Sequence, residues 1–424
     1  MIYSSKARDF LVRHGMEPER IDPDAWIAPM RDEMSRGLEG GPCSMDMIPT
    51  YLSNDGILER DRYVAVIDAG GTNFRSGLVR FDTDGPNLAM VSKCLMPGIK
   101  RPYTWEEFIS FTADRVEELM DRTDRIGFCF SYAAVITPEM DGKVISIDKE
   151  VVVTGCEGKL LGASLSEELA RRGYPGKRVV VLNDTVAVLL GGAAALDKDA
   201  YDGFIGQVSG TGTNTCVSLP VSQIRKLGLE GERGMIVNLE SGKYNGIPGG
   251  DFDRILDAES LNPGQKLFEK LTAGVYLGEL CRLMLRAAAD EGLLSPEGAG
   301  RVRAMEAFDS AVIDAWASGD NLEALGSDPE DRAFARDLSL ALFRRSARCM
   351  CINLIALAML TGGGRDKPVC VLAEGSLVEK GHSYRPELER LLAHYAAERG
   401  LKLELHVTGD TTLPGSAAAA LLNV

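Results

Sequence analysis

Residues 63–79, YVAVIDAGGTNFRSGLV, decide the fold. An apolar, β-branched run ends at Asp68, a tight turn follows at Gly70, Gly71, Thr72 and Asn73, and a second apolar run begins at Phe74. The pattern returns at residues 204–219, FIGQVSGTGTNTCVSL, with Gly210, Thr211, Gly212, Thr213 and Asn214 in the turn. A strand, a glycine turn and a strand, repeated once, predict two related halves. Paired glycines let the backbone turn sharply and approach a ligand closely. Such turns aim several N–H groups at one anion. Two of them can grip a polyphosphate from opposite sides, which points to nucleotide-dependent phosphoryl transfer. Asp68 is placed to hold Mg²⁺ through water, because Mg²⁺ sheds its own waters reluctantly. Arg75 offers phosphate a planar donor fork. A plain hairpin turn with a capping aspartate would give the first string as well; the second copy weighs against it.

The 424 residues predict two or three domains with an ample core. The net charge of -15, without a long basic block, argues against nucleic acid and anionic membrane as partners. The opening MIYSSKARDFLVRHG has no apolar run of the signal-peptide kind. No apolar stretch reaches the roughly 20 residues that span a bilayer, and residues 349–360 read as a buried helix. Nine scattered cysteines contain no CxxC pair, so reduced, mostly buried thiols in a cytoplasmic protein are expected. None of the four histidines lies near a glycine turn, so a catalytic base there is expected to be a carboxylate.

Strands are expected at 63–67, 77–81, 89–94, 126–130 and 178–182, with helices at 104–120 and 164–172. The second half repeats the plan, with strands at 204–208, 215–219, 235–239, 369–372 and 402–407. Its helices are expected at 264–288, 330–359 and 386–399. Strands alternating with helices give an α/β architecture. Residues 296–328 read as surface helices and loops.

Between the two turns lies VVLNDT, residues 180–185. A buried strand ends and a helix begins there, which is where open α/β sheets place ligands. Asp184 is the candidate base that takes a proton from an acceptor hydroxyl. In a loose phosphoryl-transfer transition state an aspartate suffices, because positioning and charge stabilisation do most of the work. Asp and Thr are also good helix caps, so a purely structural role fits the same residues.

Taken together, IDAGGTNFR, FSYA, LNDT, SGTGTN, VNLESG, FEKLTAGVYLGELCRLML, AEGSLVEK and GSAAAALL resemble the hexokinases, within the actin-like ATPase and sugar kinase superfamily. The strings run in family order from about Met45 onward, and 287–340 carry little of the signal. The resemblance implies a two-lobed, ribonuclease H-like α/β fold with a cleft between its domains. Residues 61–183 and 413–424 would form the small domain, and 1–60 and 184–412 the large one. It implies transfer from ATP, with Mg²⁺, to the 6-hydroxyl of a hexose: glucose first, then mannose or fructose. The protein would be a monomer or homodimer.

By the same resemblance, Asp184 is the base, and Asn183, Ser131, Lys149, Asn214, Glu240 and Glu269 contact sugar. Gly70, Gly71, Thr72 and Asn73 face the phosphates from one half; Gly210, Thr211 and Gly212 face them from the other. Gly375 and Ser376 look like the adenosine-side turn, and Gly415 and Ser416 like a late loop before the last helix. Read without the resemblance, Glu240 fits a solvated turn residue and Glu269 a partner for a nearby lysine. The chain departs from the family pattern at Ala133, Asp148, Ala187 and Glu374, and TTLPGSAAAA lacks a usual lysine. These departures bear on the preferred sugar and on nucleotide affinity. Two other readings remain: a superfamily kinase for another small hydroxyl compound, and an actin-like ATPase or non-catalytic sugar sensor.

Overall fold

A computed structural model describes residues 3–147 and 151–424. The chain forms two compact units. One contains Met47–Gln207, Thr215–Leu239 and Thr408–Val424, and the other contains the N-terminal segment to Asp46, Val208–Asn214 and Glu240–Val407.

The unit that starts at Met47 is built on a five-stranded sheet ordered Arg178–Leu182, Arg125–Phe130, Val64–Gly70, Asn73–Asp82, Gly85–Leu95. The first three strands are parallel and the last three antiparallel. Every residue of Arg125–Phe130 is buried, as expected for a central parallel strand covered on both faces. Trp105, Phe108, Phe128 and Phe130 belong to the apolar core around this sheet. The helix Trp105–Val116 starts at a capping box: Glu107 N–H donates to the Thr104 hydroxyl at 3.2 Å, and Thr104 N–H donates to the Glu107 carboxylate at 2.9 Å. The last helix, Thr412–Asn423, packs on the sheet and along the helix Asp184–Ala193. It comes so close that a Cβ on Gly127 would lie 2.0 Å from the Ser416 carbonyl oxygen. The same unit holds the antiparallel pairing of residues 216–220 with Gly234–Asn238, and of the latter with Ile48–Pro49.

The other unit is organised around one buried helix of 33 residues, Pro329–Thr361. Asp328 caps it by accepting Glu330 N–H at 2.8 Å, Pro329 takes the first position, and Gly362 ends it at φ 72°. Helices Pro23–Leu38, Gly274–Asp290, Ser310–Ser318 and Tyr384–Glu398 pack along it. Burial by these neighbours explains the apolar run at 349–360; no helix among the described residues is long and apolar enough to cross a membrane. Tyr384–Glu398 connects the parallel strands Val369–Glu374 and Leu403–Val407.

Three expectations are corrected. The helix expected at 264–288 is two, Leu267–Thr272 and Gly274–Asp290, with Ala273 extended between them at φ -81°, ψ 143°. The break lets Gly274 N–H donate to the Gly210 carbonyl at 2.8 Å. In the stretch 296–328, expected at the surface, Ser310–Ser318 buries Ile313 and Trp316 completely or nearly so. Gly415 and Ser416, expected in a loop, stand inside the last helix.

Candidate active site

Strand register assembles the first group of candidate residues. In the parallel strands, Asp68 and Leu182 both lie opposite Cys129. Asp68, Ser131 and the pair Asn183–Asp184 therefore emerge at one carboxyl edge of the sheet, where open α/β sheets bind ligands. Burial pushes the Asp68 carboxyl above the usual range; Arg75 pulls it back, while the charges of Asp184 and Asp410 push the same way as burial. Burial also raises the Cys129 thiol, with the Asp68 and Asp184 charges adding to it. Cys129 is thus an inert thiol beneath two carboxylates.

The first glycine turn is minimal. Gly70 pairs with Asn73, leaving only Gly71 and Thr72 at the tip. Both tip residues are exposed, and Gly71 has φ 55°, a value that favours glycine. A Cβ on Gly70 would lie 2.9 Å from the Ser131 hydroxyl oxygen, so glycine is what admits Ser131 to this edge. Tyr132, which follows it, donates its hydroxyl to the Gly71 carbonyl at 2.9 Å. Arg75 does not present an open fork. Its Nε donates to Asp68 at 2.8 Å, and a terminal nitrogen pairs with Asp410. The fork that sequence reasoning gave to phosphate is held by two carboxylates, and Asp410 is the member of this cluster that sequence reasoning missed. Its signal is faint: a Gly-Asp pair just after the last strand.

Asn183 caps the helix Asp184–Ala193, accepting Thr185 N–H at 2.9 Å. The Asp184 Oδ1 accepts the same N–H at 2.7 Å and the Thr185 hydroxyl at 3.3 Å. The capping role weighed against catalysis is therefore real, and it fixes the carboxylate without using Oδ2. Among the described residues, Oδ2 accepts no hydrogen bond. Lys149 and the departure at Asp148 lie outside the described residues.

The second group gathers in the other unit. Gly210 N–H donates to the Gly212 carbonyl at 3.0 Å, closing the second turn. Thr211 is exposed at its tip. Thr213 N–H donates to the Glu269 carboxylate at 3.4 Å, and Lys266 pairs with Glu269 at 3.6 Å. Asn214 reaches Glu240 at 3.4 Å through its amide nitrogen, and its amide oxygen accepts Ser241 N–H at 3.2 Å. Glu240 sits at φ 56°, ψ 47°, in the left-handed region that few non-glycine residues adopt. Asn214, Glu240 and Glu269 thus surround one turn, although 55 residues of sequence separate the first from the last. Gly375 joins them: its φ is 116°, and a Cβ there would lie 2.4 Å from the Ser209 carbonyl oxygen. Ser376 N lies 3.3 Å from where a Cβ on Gly210 would be. The two late sites are therefore unlike. Gly375 and Ser376 adjoin the turn, whereas Ser416 is fully buried and donates its hydroxyl to the Thr412 carbonyl.

Gly415 has a packing reason. A Cβ there would lie 1.9 Å from the Ala187 carbonyl oxygen, and one on Gly191 would lie 2.7 Å from the Thr411 carbonyl oxygen. The small residues let two helices touch backbone to backbone. Gly415→Ala is expected to destabilise the chain by about 1–3 kcal/mol, the usual cost of overpacking, measured as a lower urea midpoint. An unchanged midpoint would mean the helices separate freely.

Family models described as hexokinase match residues 17–194 and 204–422. Hexokinase-7 of Oryza sativa subsp. japonica is 28% identical over 417 residues, covering 89% of this chain and 88% of the rice protein. Hexokinase-1 of Nicotiana tabacum is 28% identical over 438 residues, covering 92% of this chain and 86% of the tobacco protein. Among solved structures, a hexokinase from Schistosoma mansoni complexed with glucose matches with a TM-score of 0.77 at 21% identity, over 98% of this chain and 99% of that one. A second hexokinase crystal structure matches with a TM-score of 0.82 at 23% identity, over 98% of each chain. These likenesses bear out the hexokinase fold expected from the sequence.

Proposed function

This chain belongs to the hexokinase family, and from that premise we infer that it phosphorylates a hexose at the 6-hydroxyl, with Asp184 taking the hydroxyl proton. The observation that carries the reading is the strand register that brings Asp68, Ser131 and Asp184 to one sheet edge. Thr185 fixes one Asp184 oxygen, which leaves the other to face an acceptor. Asp184 stands at the first position of the helix Asp184–Ala193, which holds its side chain at the sheet edge. The proton moves late in a loose transfer, so a carboxylate is basic enough. Asn214, Glu240 and Glu269 supply the amide and carboxylate groups that can each satisfy a pair of sugar hydroxyls. Glucose is the first candidate, since the Schistosoma relative is complexed with it.

ATP is the donor that membership of this kinase family carries, and the backbone N–H groups of the two glycine turns are suited to its phosphates. A magnesium ion fits the residues present. Three carboxylates, Asp68, Asp184 and Asp410, act on one another's neighbourhood with Arg75 as the compensating cation. Asp68 would hold it through water, and the ion would neutralise charge on the β- and γ-phosphates.

The test is ADP release from Mg-ATP across hexoses, hexosamines and polyols. Turnover is expected to depend on an aldohexose. ATP hydrolysis indifferent to every sugar would instead support an ATPase.

A further inference from the structure

We propose that the cavity lined by Glu19, Arg344, Arg348, Glu387 and Arg390 binds a small phosphate-bearing anion. It shares no residue with the candidate active site and does not depend on the chemistry assigned there. Arg344 and Arg348 stand one turn apart on the buried helix Pro329–Thr361, so their like charges face the same side. Arg390 comes from the neighbouring helix Tyr384–Glu398.

The cations are not balanced from within. Glu387 is taken by Arg390, which donates to it from Nε at 2.9 Å and from a terminal nitrogen at 2.8 Å. Among the described residues, no carboxylate lies within ion-pair distance of Arg344 or Arg348. This is notable in a chain with 62 Asp and Glu against 47 Lys and Arg. Arg348 gives one N–H to the Ile21 carbonyl at 3.3 Å, but its Nε is buried with no acceptor. Arg344 lies 5.2 Å from the centroid of the Tyr3 ring. Glu19, the remaining carboxylate, is exposed. A buried guanidinium donor without an acceptor, as at Arg348 Nε, is costly to maintain, and an anion beside the two adjacent like charges of Arg344 and Arg348 would offset that cost. Guanidinium forks match phosphate oxygens in pairs. The cavity volume of about 320 Å³ suits a small metabolite.

The test titrates inorganic phosphate into the full chain at fixed ionic strength and follows hydrogen exchange in peptides covering Pro329–Thr361 and Tyr384–Glu398. Saturable protection is expected around Arg344, Arg348 and Arg390. Arg348→Gln should weaken the apparent affinity by about tenfold or more, the loss expected for a charge-assisted hydrogen bond. Arg344→Gln is the second variant and should act the same way if Arg348→Gln does not fold. Pyrophosphate should compete; citrate, as a carboxylate anion of similar charge, should protect less. Protection should survive in Asp184→Asn, so that failure of the catalytic reading leaves this one standing. Protection confined to the glycine turns, unaltered affinity in the arginine variants, or an equal response to citrate and chloride would overturn the proposal.

Discussion

Asp184→Asn is expected to lower hexose phosphorylation by about 10²–10⁴-fold, the range for removing a general base. The substitution suits the geometry. An asparagine oxygen can still accept the Thr185 N–H, so the start of the helix and the position of the side chain should survive. What disappears is the oxygen that takes the proton and the negative charge at the helix N-terminus. Sugar affinity, measured by calorimetry, should change little, because Asn214, Glu240 and Glu269 belong to the other unit and are untouched. A large loss of turnover with retained sugar binding would place the defect in the chemical step. Near-normal turnover would remove Asp184 from the mechanism.

The largest stability effect is expected at Arg345. Its guanidinium is almost fully buried and donates to Asp253, itself 8% exposed, at 2.5 and 3.4 Å. Asp253 also accepts Gly250 N–H at 2.7 Å at the start of the helix Asp251–Glu259. Arg345→Ala would leave that carboxylate buried with only a backbone donor. Breaking one side of a buried pair costs about 3–5 kcal/mol, because the partner charge stays uncompensated. Urea unfolding should report the loss as a lower midpoint. The double variant Arg345→Met with Asp253→Leu removes both charges and should recover part of it. A single variant as stable as the parent would mean that water or a rearranged side chain reaches Asp253.

The parts of the fold that were legible in the sequence are those written locally. Residues 178–182 form a strand as expected, because a β-branched run ends at a capping Asn. The first glycine turn was legible too, though its strands extend to Gly70 and Asn73 and leave only two residues at the tip. What was hidden depends on distant partners. Nothing in LTAGV marks a helix break; the Gly274 bond to the Gly210 carbonyl, 64 residues away in sequence, makes it. Gly415 and Ser416 look like a loop because glycine and serine favour turns. They stand in a helix because only small residues fit against the Ala187 backbone. Arg75 looked open to phosphate because its partner Asp410 is 335 residues away. At Glu240 the resemblance named the residue, but neither its left-handed backbone nor its bond to Asn214 could be read from VNLESG. Seven of the nine cysteines are buried and all are free, and six of the buried seven sit in strands or helices, the exception being Cys156 in a turn.

The central claim is that Asp184 activates the 6-hydroxyl of a hexose. The most direct measurement is phosphorus NMR of the products formed from glucose and Mg-ATP, at saturating glucose, by the parent chain and by Asp184→Asn. Hexose 6-phosphate should accumulate with the parent and form about 10²-fold more slowly or worse with the variant. Equal rates of 6-phosphate formation, or phosphate released to water with no sugar phosphate formed, would contradict it.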